Sequence, residues 1–102
     1  TTLKTAFVGH THQPMILTQC DGQLRQFVGT ALRMKEECRY LVNVGSVGQP
    51  RDGNPGAAFA VYDDGEETVD LRRVPYDIAA AQRKIREAGL PDVLASRLDT
   101  GT

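Results

Sequence analysis

Gly9-His10-Thr11-His12-Gln13-Pro14 follows the short apolar run Ala6-Phe7-Val8 and contains both histidines of this 102-residue chain. Successive side chains of extended backbone alternate faces, so residues i and i+2 point the same way, about 6–7 Å apart. That span lets two imidazoles chelate one ion, or hold one each of a pair separated by about 3.5–4 Å. Imidazole is neutral near pH 7 and is the commonest side-chain ligand for transition metals. A glycine ahead of the first histidine frees the backbone where a strand turns sharply into a site. On spacing alone, two exposed strand histidines explain the pair equally well.

Outward from this stretch, strands come first and helices last. Thr5 to Val8 reads as a short buried strand. Met15 to Cys20 and Gln23 to Val28 flank Asp21-Gly22, a strong two-residue hairpin signal. Gly29 to Cys38 is polar and mixed, either a loop or one irregular helical turn. Arg39 to Val44 reads as a strand running into a Gly45-Ser46 turn. Ala57 to Tyr62 is nearly all apolar, so both of its faces are expected to be covered. Asp63-Asp64-Gly65-Glu66 makes a second hairpin, its acids exposed at the tip, and Thr68 to Val74 returns as a strand. In that strand Arg72 and Arg73 read as ordinary edge or surface charges.

The period then changes. Ile78, Ala81, Gln82, Ile85 and Ala88 fall at helical spacing, with Asp77 placed to cap the start. Gly89 fits the position past the helix end, and Pro91 the first turn of a second helix with Leu90, Leu94 and Leu98 on one face. A sheet apolar on both faces needs two covering layers, and two short helices cover only part of one.

Bulk properties narrow the function classes. The chain is 40% hydrophobic and 25% charged with a net charge of −1, which gives no electrostatic reason to expect nucleic acid or an anionic membrane as partner. No apolar run approaches the ~18 residues of a membrane-spanning helix. A soluble, cytoplasmic protein is the expectation, with a homo-oligomer left open. Cys20 and Cys38 lack Cys-x-x-Cys spacing and a nearby histidine, so a structural zinc site is not expected. One disulfide between them is the alternative; free, partly buried thiols are the expectation.

Behind the histidines come Asn43-Val44-Gly45-Ser46-Val47-Gly48-Gln49-Pro50-Arg51-Asp52-Gly53-Asn54-Pro55, then Val74-Pro75-Tyr76-Asp77 and Ile85-Arg86-Glu87-Ala88-Gly89-Leu90-Pro91. This series, in this order from Thr5 to about Leu98, resembles the carboxy-terminal portion of calcineurin-like metallophosphoesterases, above all the small bacterial and archaeal phosphodiesterase-like members. The resemblance implies an α/β fold, as one partial domain over residues 1–102. Its parent would be a four-layer α/β/β/α sandwich, to which this chain gives strands followed by two helices. Family members carry four earlier blocks, Asp-x-His, Gly-Asp, Gly-Asn-His and a lone His, and none occurs in these residues. With Thr1 in place of an initiator Met, the expectation is a carboxy-terminal fragment whose missing amino-terminal half is its main partner.

By motif position the resemblance makes His10 and His12 ligands to different ions of a dinuclear centre. The implied cofactors are two divalent metal ions (Mn, Fe, Zn or Ni), and the implied substrate is a small phosphate ester. The implied reaction is hydrolysis of a phosphomonoester or phosphodiester by metal-bound hydroxide, with the isolated chain expected to be inactive. In look-alike enzymes the Asn43–Arg51 loop lies beside the metals, which makes Asn43, Ser46 and Arg51 candidates for substrate binding or for support of the ligands. Gly45 and Gly48 would free a tight turn whose amides cradle phosphate, and Arg51 offers a donor fork suited to that anion. No residue of the chain is expected to be catalytic in its own right. Ser46 is rejected as a nucleophile because metal-bound histidines leave it no base. The competing reading is a non-catalytic scaffold or subunit-binding domain on the same fold.

Overall fold

Alternation in one strand organises the molecule: Cys38, Tyr40 and Val42 are buried while Arg39 and Leu41 between them are exposed. A period of two commits one face to a core. The computed structural model describes residues 4–102. In them β1 (Thr5–Val8), β2 (Met15–Cys20), β3 (Gln23–Gln26), β4 (Ala31–Arg33), β5 (Cys38–Asn43), β6 (Ala57–Asp63) and β7 (Thr68–Val74) precede α1 (Ile78–Glu87) and α2 (Asp92–Thr100). A four-stranded sheet runs β1-β5-β2-β3 and a three-stranded one β4-β7-β6. Among the described residues only β1 and β5 pair in parallel; the other neighbours are antiparallel.

The core lies between the sheets. Ile16 of β2 and Cys38, Tyr40 and Val42 of β5 pack with Val69 of β7 and Met34, against partly buried Phe27, Leu32 and Leu71. Val42 and Val69 are wholly buried, each worth about 1.5–3 kcal/mol of transfer free energy. At the margin Phe7 of β1 meets Tyr62 of β6 edge to face, ring centroids 5.6 Å apart.

Local chemistry sets the connections. Asp21 and Gly22 both have positive φ, 51° and 78°, the mirror-image turn that matches strand twist. Asp77 caps α1 by accepting from the Ala80 amide, and Gly89 adopts φ 74° just beyond the helix. Gln82, buried on α1, donates to the Ala95 carbonyl of α2 at 3.0 Å and ties the helices together. Pro91 sits one position earlier than expected, as the residue before α2.

Five expectations change. β1 is not a buried strand: Ala6, Phe7 and Val8 are exposed, because it is an edge strand of its sheet. Gly29 to Cys38 is neither loop nor helical turn throughout: Ala31–Arg33 forms β4, because β7 offers it an open edge. The second arm of the first hairpin stops at Gln26; Phe27 then turns into the core and Val28 is exposed. β6 is not covered throughout: Ala57 and Ala58 are buried at its start, whereas Val61 and Tyr62 near its end are exposed. The cysteines are not free thiols: Cys20 and Cys38 are direct partners across β2 and β5, Cα atoms 4.5 Å apart, and form a disulfide. Strand register brings them together, which spacing along the chain does not reveal.

The chain is elongated. Its radius of gyration is 16.1 Å, against about 13 Å for a spherical domain of this length. The outward face of the first sheet leaves Val8, Leu24 and Leu41 exposed. The described residues thus form an α/β arrangement of mixed and antiparallel sheets with a terminal helical pair; the four-layer sandwich stays an implication of the resemblance.

Candidate metal-binding site

Parallel pairing of β1 with β5 sends both strands out at the same edge, so the turn after Val8 and the loop after Asn43 emerge side by side. The Val44 amide closes this edge by donating to the Val8 carbonyl at 2.9 Å. His10 is exposed in the turn and His12 half-buried. His12 takes φ 62°, a left-handed conformation uncommon outside glycine, though His, like Asn and Asp, adopts it more often than other residues. A straight strand does not carry the pair, as the i, i+2 reading assumed; a turn does.

The His12 ring is held by one decisive contact. Its Nδ1 lies 2.8 Å from the Gln49 carbonyl oxygen, and a carbonyl only accepts, so Nδ1 carries the proton. The lone pair is then on Nε2, which is how proteins set an imidazole for metal ligation. Arg51 N donates to the His12 carbonyl at 3.1 Å, and Gln13 Nε2 donates to the Arg51 carbonyl at 3.2 Å. Turn and loop are therefore cross-laced on both sides of the histidine.

Asn43 is buried at the junction. Its Nδ2 donates to Thr11 Oγ1 at 2.7 Å and its Oδ1 accepts from Gly45 N at 3.0 Å. Thr11 is the residue between the histidines, so this amide anchors the turn from beneath. Gly45, at φ 78°, passes so close to its neighbours that a Cβ would stand 2.8 Å from both Ala58 Cβ and Pro14 Cγ. Gly9 carries no such demand, as its Cβ would meet only an ordinary 3.5 Å contact, and Gly48 has open space around it.

Ser46 Oγ accepts from Gln49 N at 2.9 Å, closing the loop that presents the Gln49 carbonyl. The amides of Gly45, Gln49 and Arg51 are thus satisfied inside the protein. The expected phosphate cradle does not use them. The Arg51 side chain is exposed and bonds only the Gln49 amide oxygen, at 3.3 Å, leaving its guanidinium without a carboxylate partner among the described residues.

Below this loop Arg73 is a fastener, in contrast to the surface role expected of it. It donates to both oxygens of Asp52, the Nη2 contact being 2.9 Å, and to the carbonyls of Asn54 and Gly56 at 2.6 and 3.1 Å. The bond from Arg73 holds the Asp52 carboxyl below the usual range, burial opposing it only in part. Arg73 follows Val69 and Leu71 on the inward face of β7, a placement that requires a partner for its charge. That alternation was the available signal. No sequence signal marks Gln49, because its contribution is a main-chain oxygen. Among the described residues no group of three His, Cys, Asp or Glu side chains gathers to hold an ion, and no helix is long and apolar enough to cross a membrane.

No family model matches the chain. An uncharacterized protein of Methanocaldococcus jannaschii is 40% identical to it over 95 residues, which are 93% of this chain and 38% of that protein. The crystal structure of a metallophosphoesterase from Sphaerobacter thermophilus superposes with a TM-score of 0.85 at 38% identity, covering 97% of this chain and 42% of that one. The chain therefore spans about two fifths of each protein it matches. The likeness to metallophosphoesterases read from the motifs is borne out, and the coverage fits a carboxy-terminal portion of that superfamily.

Proposed function

We propose that this chain supplies two imidazole ligands, His10 and His12, to the dinuclear metal centre of a phosphoesterase acting on phosphomonoesters or phosphodiesters. The observation that carries the reading is the His12 Nδ1 bond to the Gln49 carbonyl at 2.8 Å, which leaves Nε2 free as a donor. Two neutral nitrogens suit manganese, iron, zinc or nickel, and the donor set favours none of them decisively. The residues fit the cofactor as a partial set. Carboxylates and further histidines would come from polypeptide beyond these 102 residues, as the two-fifths coverage of the solved relative supports.

When bound, the metal pair supplies Lewis-acid polarisation of the phosphoryl group and an ionised water as nucleophile. The chain's own residues orient. Gln49 fixes the tautomer of His12, Asn43 and Thr11 hold the turn, and Ser46 holds the loop that presents Gln49. Arg51, exposed beside His12, offers a two-pronged donor to a non-bridging phosphate oxygen pair.

Elemental analysis and a phosphate-ester panel on the intact polypeptide test the reading. His10→Ala and His12→Ala should each lower bound metal and turnover together. Survival of both metal and rate in either variant would remove that histidine from the centre. Absence of metal and turnover in the intact wild type would favour a scaffold that has kept the fold without the chemistry.

A further inference from the structure

We propose that the Cys20–Cys38 disulfide is a reversible thiol-exchange clasp, opened by a dithiol reductant, which sets how firmly the excursion through β3 and β4 is held. The bond joins the last pair of the β2·β5 ladder. The chain it encloses, residues 21–37, contains β3 at the edge of one sheet and β4 at the edge of the other. One covalent link therefore closes the loop that carries an edge strand of each sheet.

Apart from Met34 in the core and Phe27 and Leu32 packed against it, the strands of that excursion are lightly held. β3 is exposed along its whole length, and β4 has three residues with only Leu32 partly buried. Bonds from Leu71 N to Thr30 O and from Met34 N to Glu67 O bracket β4, both 2.7 Å. The β2·β5 pair, in contrast, keeps Ile16, Tyr40 and Val42 in the core whatever the state of the cysteines. Opening the bond thus loosens residues 21–37 before it loosens the sheet.

Access is asymmetric, because Cys38 is buried and Cys20 half-buried. A reductant thiolate attacks Cys20 Sγ, the S–S bond breaks, and Cys38 leaves as a thiolate that takes up a proton. The second thiol of the reductant then attacks the mixed disulfide, releasing Cys20 as a thiol and leaving the reductant oxidised to its own disulfide. Two electrons pass from dithiol to protein, and an oxidised dithiol reverses the sequence. The freed thiols sit among apolar neighbours as small hydrophobes, so the core persists. The histidine turn lies at the opposite end of the same strand pair, beside Met15 and Asn43. Its hydrogen bonds are independent of the clasp, so this inference stands or falls separately from the metal reading.

The test uses the intact polypeptide purified without reductant, alkylated and mapped by peptide mass at Cys20 and Cys38. A linked pair is expected, lost on native treatment with dithiothreitol and regained with oxidised dithiothreitol. Tryptic cleavage at Arg25, Arg33 and Lys35 should be about tenfold faster in the reduced form, and a Cys20→Ala/Cys38→Ala variant should match it. Alkylation of both cysteines without prior reduction would overturn the proposal. A bond that yields only in denaturant would do the same, as would equal cleavage in the two states or a double variant as resistant as the oxidised protein.

Discussion

Replacing Arg73 by Met removes four hydrogen bonds at once while keeping most of the aliphatic stem. The ion pair with Asp52 is part-exposed, 22% and 31% of the two side chains remaining accessible, so solvent screening leaves it about 1 kcal/mol in spite of its two-pronged geometry. The bonds to the Asn54 and Gly56 carbonyls add about 0.5–1.5 kcal/mol each. The sum is a loss of about 2–4 kcal/mol, which urea denaturation resolves as a midpoint shift of about 1 M or more. Acid supplies a second arm. The carboxyl of Asp52 is lowered in the folded state by Arg73, so its stabilisation is present above the unfolded value of 3.8 and is lost as pH falls through the lower folded value. The gap between wild type and Arg73→Met should therefore be full at neutral pH and narrow below that point. A loss under about 0.5 kcal/mol at pH 7 would show that the 52–56 segment is held by something other than Arg73. A gap that stays constant into acid would show that the Asp52 charge contributes nothing.

Three further outcomes are expected. Asn43→Ala breaks the links to Thr11 and Gly45, and should cost about 2–3 kcal/mol in thermal or urea unfolding while weakening metal retention by about tenfold or more in an equilibrium-dialysis assay. Gly45→Ala forces a Cβ to within 2.8 Å of Ala58 and Pro14 at φ 78°; a loss above about 2 kcal/mol is expected, whereas Gly48→Ala, with open space around it, should shift the midpoint little. On the proposed function, Arg51→Ala should raise KM or lower kcat of the intact polypeptide on a phosphate ester with metal content unchanged, and unaltered kinetics would return Arg51 to a plain loop role.

Much of the architecture was legible because it is locally encoded. Asp21-Gly22, Asp77 and Gly89 each state a backbone conformation that the structure adopts. β4 was not legible: three residues with one inward side chain carry no period, and they extend only because β7 pairs with them. The cysteine pair escaped for the same reason, since its partners are chosen by ladder register. In the candidate site the histidines and Asn43 stood out by type and motif, but what orients them did not. His12 is set by a main-chain oxygen 37 positions away, and the left-handed position of its turn is the histidine itself, with no glycine there to announce it. The glycine expected to matter, Gly9, has room to spare, while Gly45 does not.

The parallel ladder of β1 on β5 pairs Thr5 with Tyr40, 35 positions apart. Contacts of that span are slow to close, because the intervening chain must surrender its freedom before any is rewarded. Hairpins such as β2–β3 and β6–β7 can form early from neighbours, but the edge where His12 meets Gln49 exists only after β1 has docked. Acquisition of the histidine geometry is therefore expected late in folding, and a chain stalled before it would own its hairpins and yet lack the site.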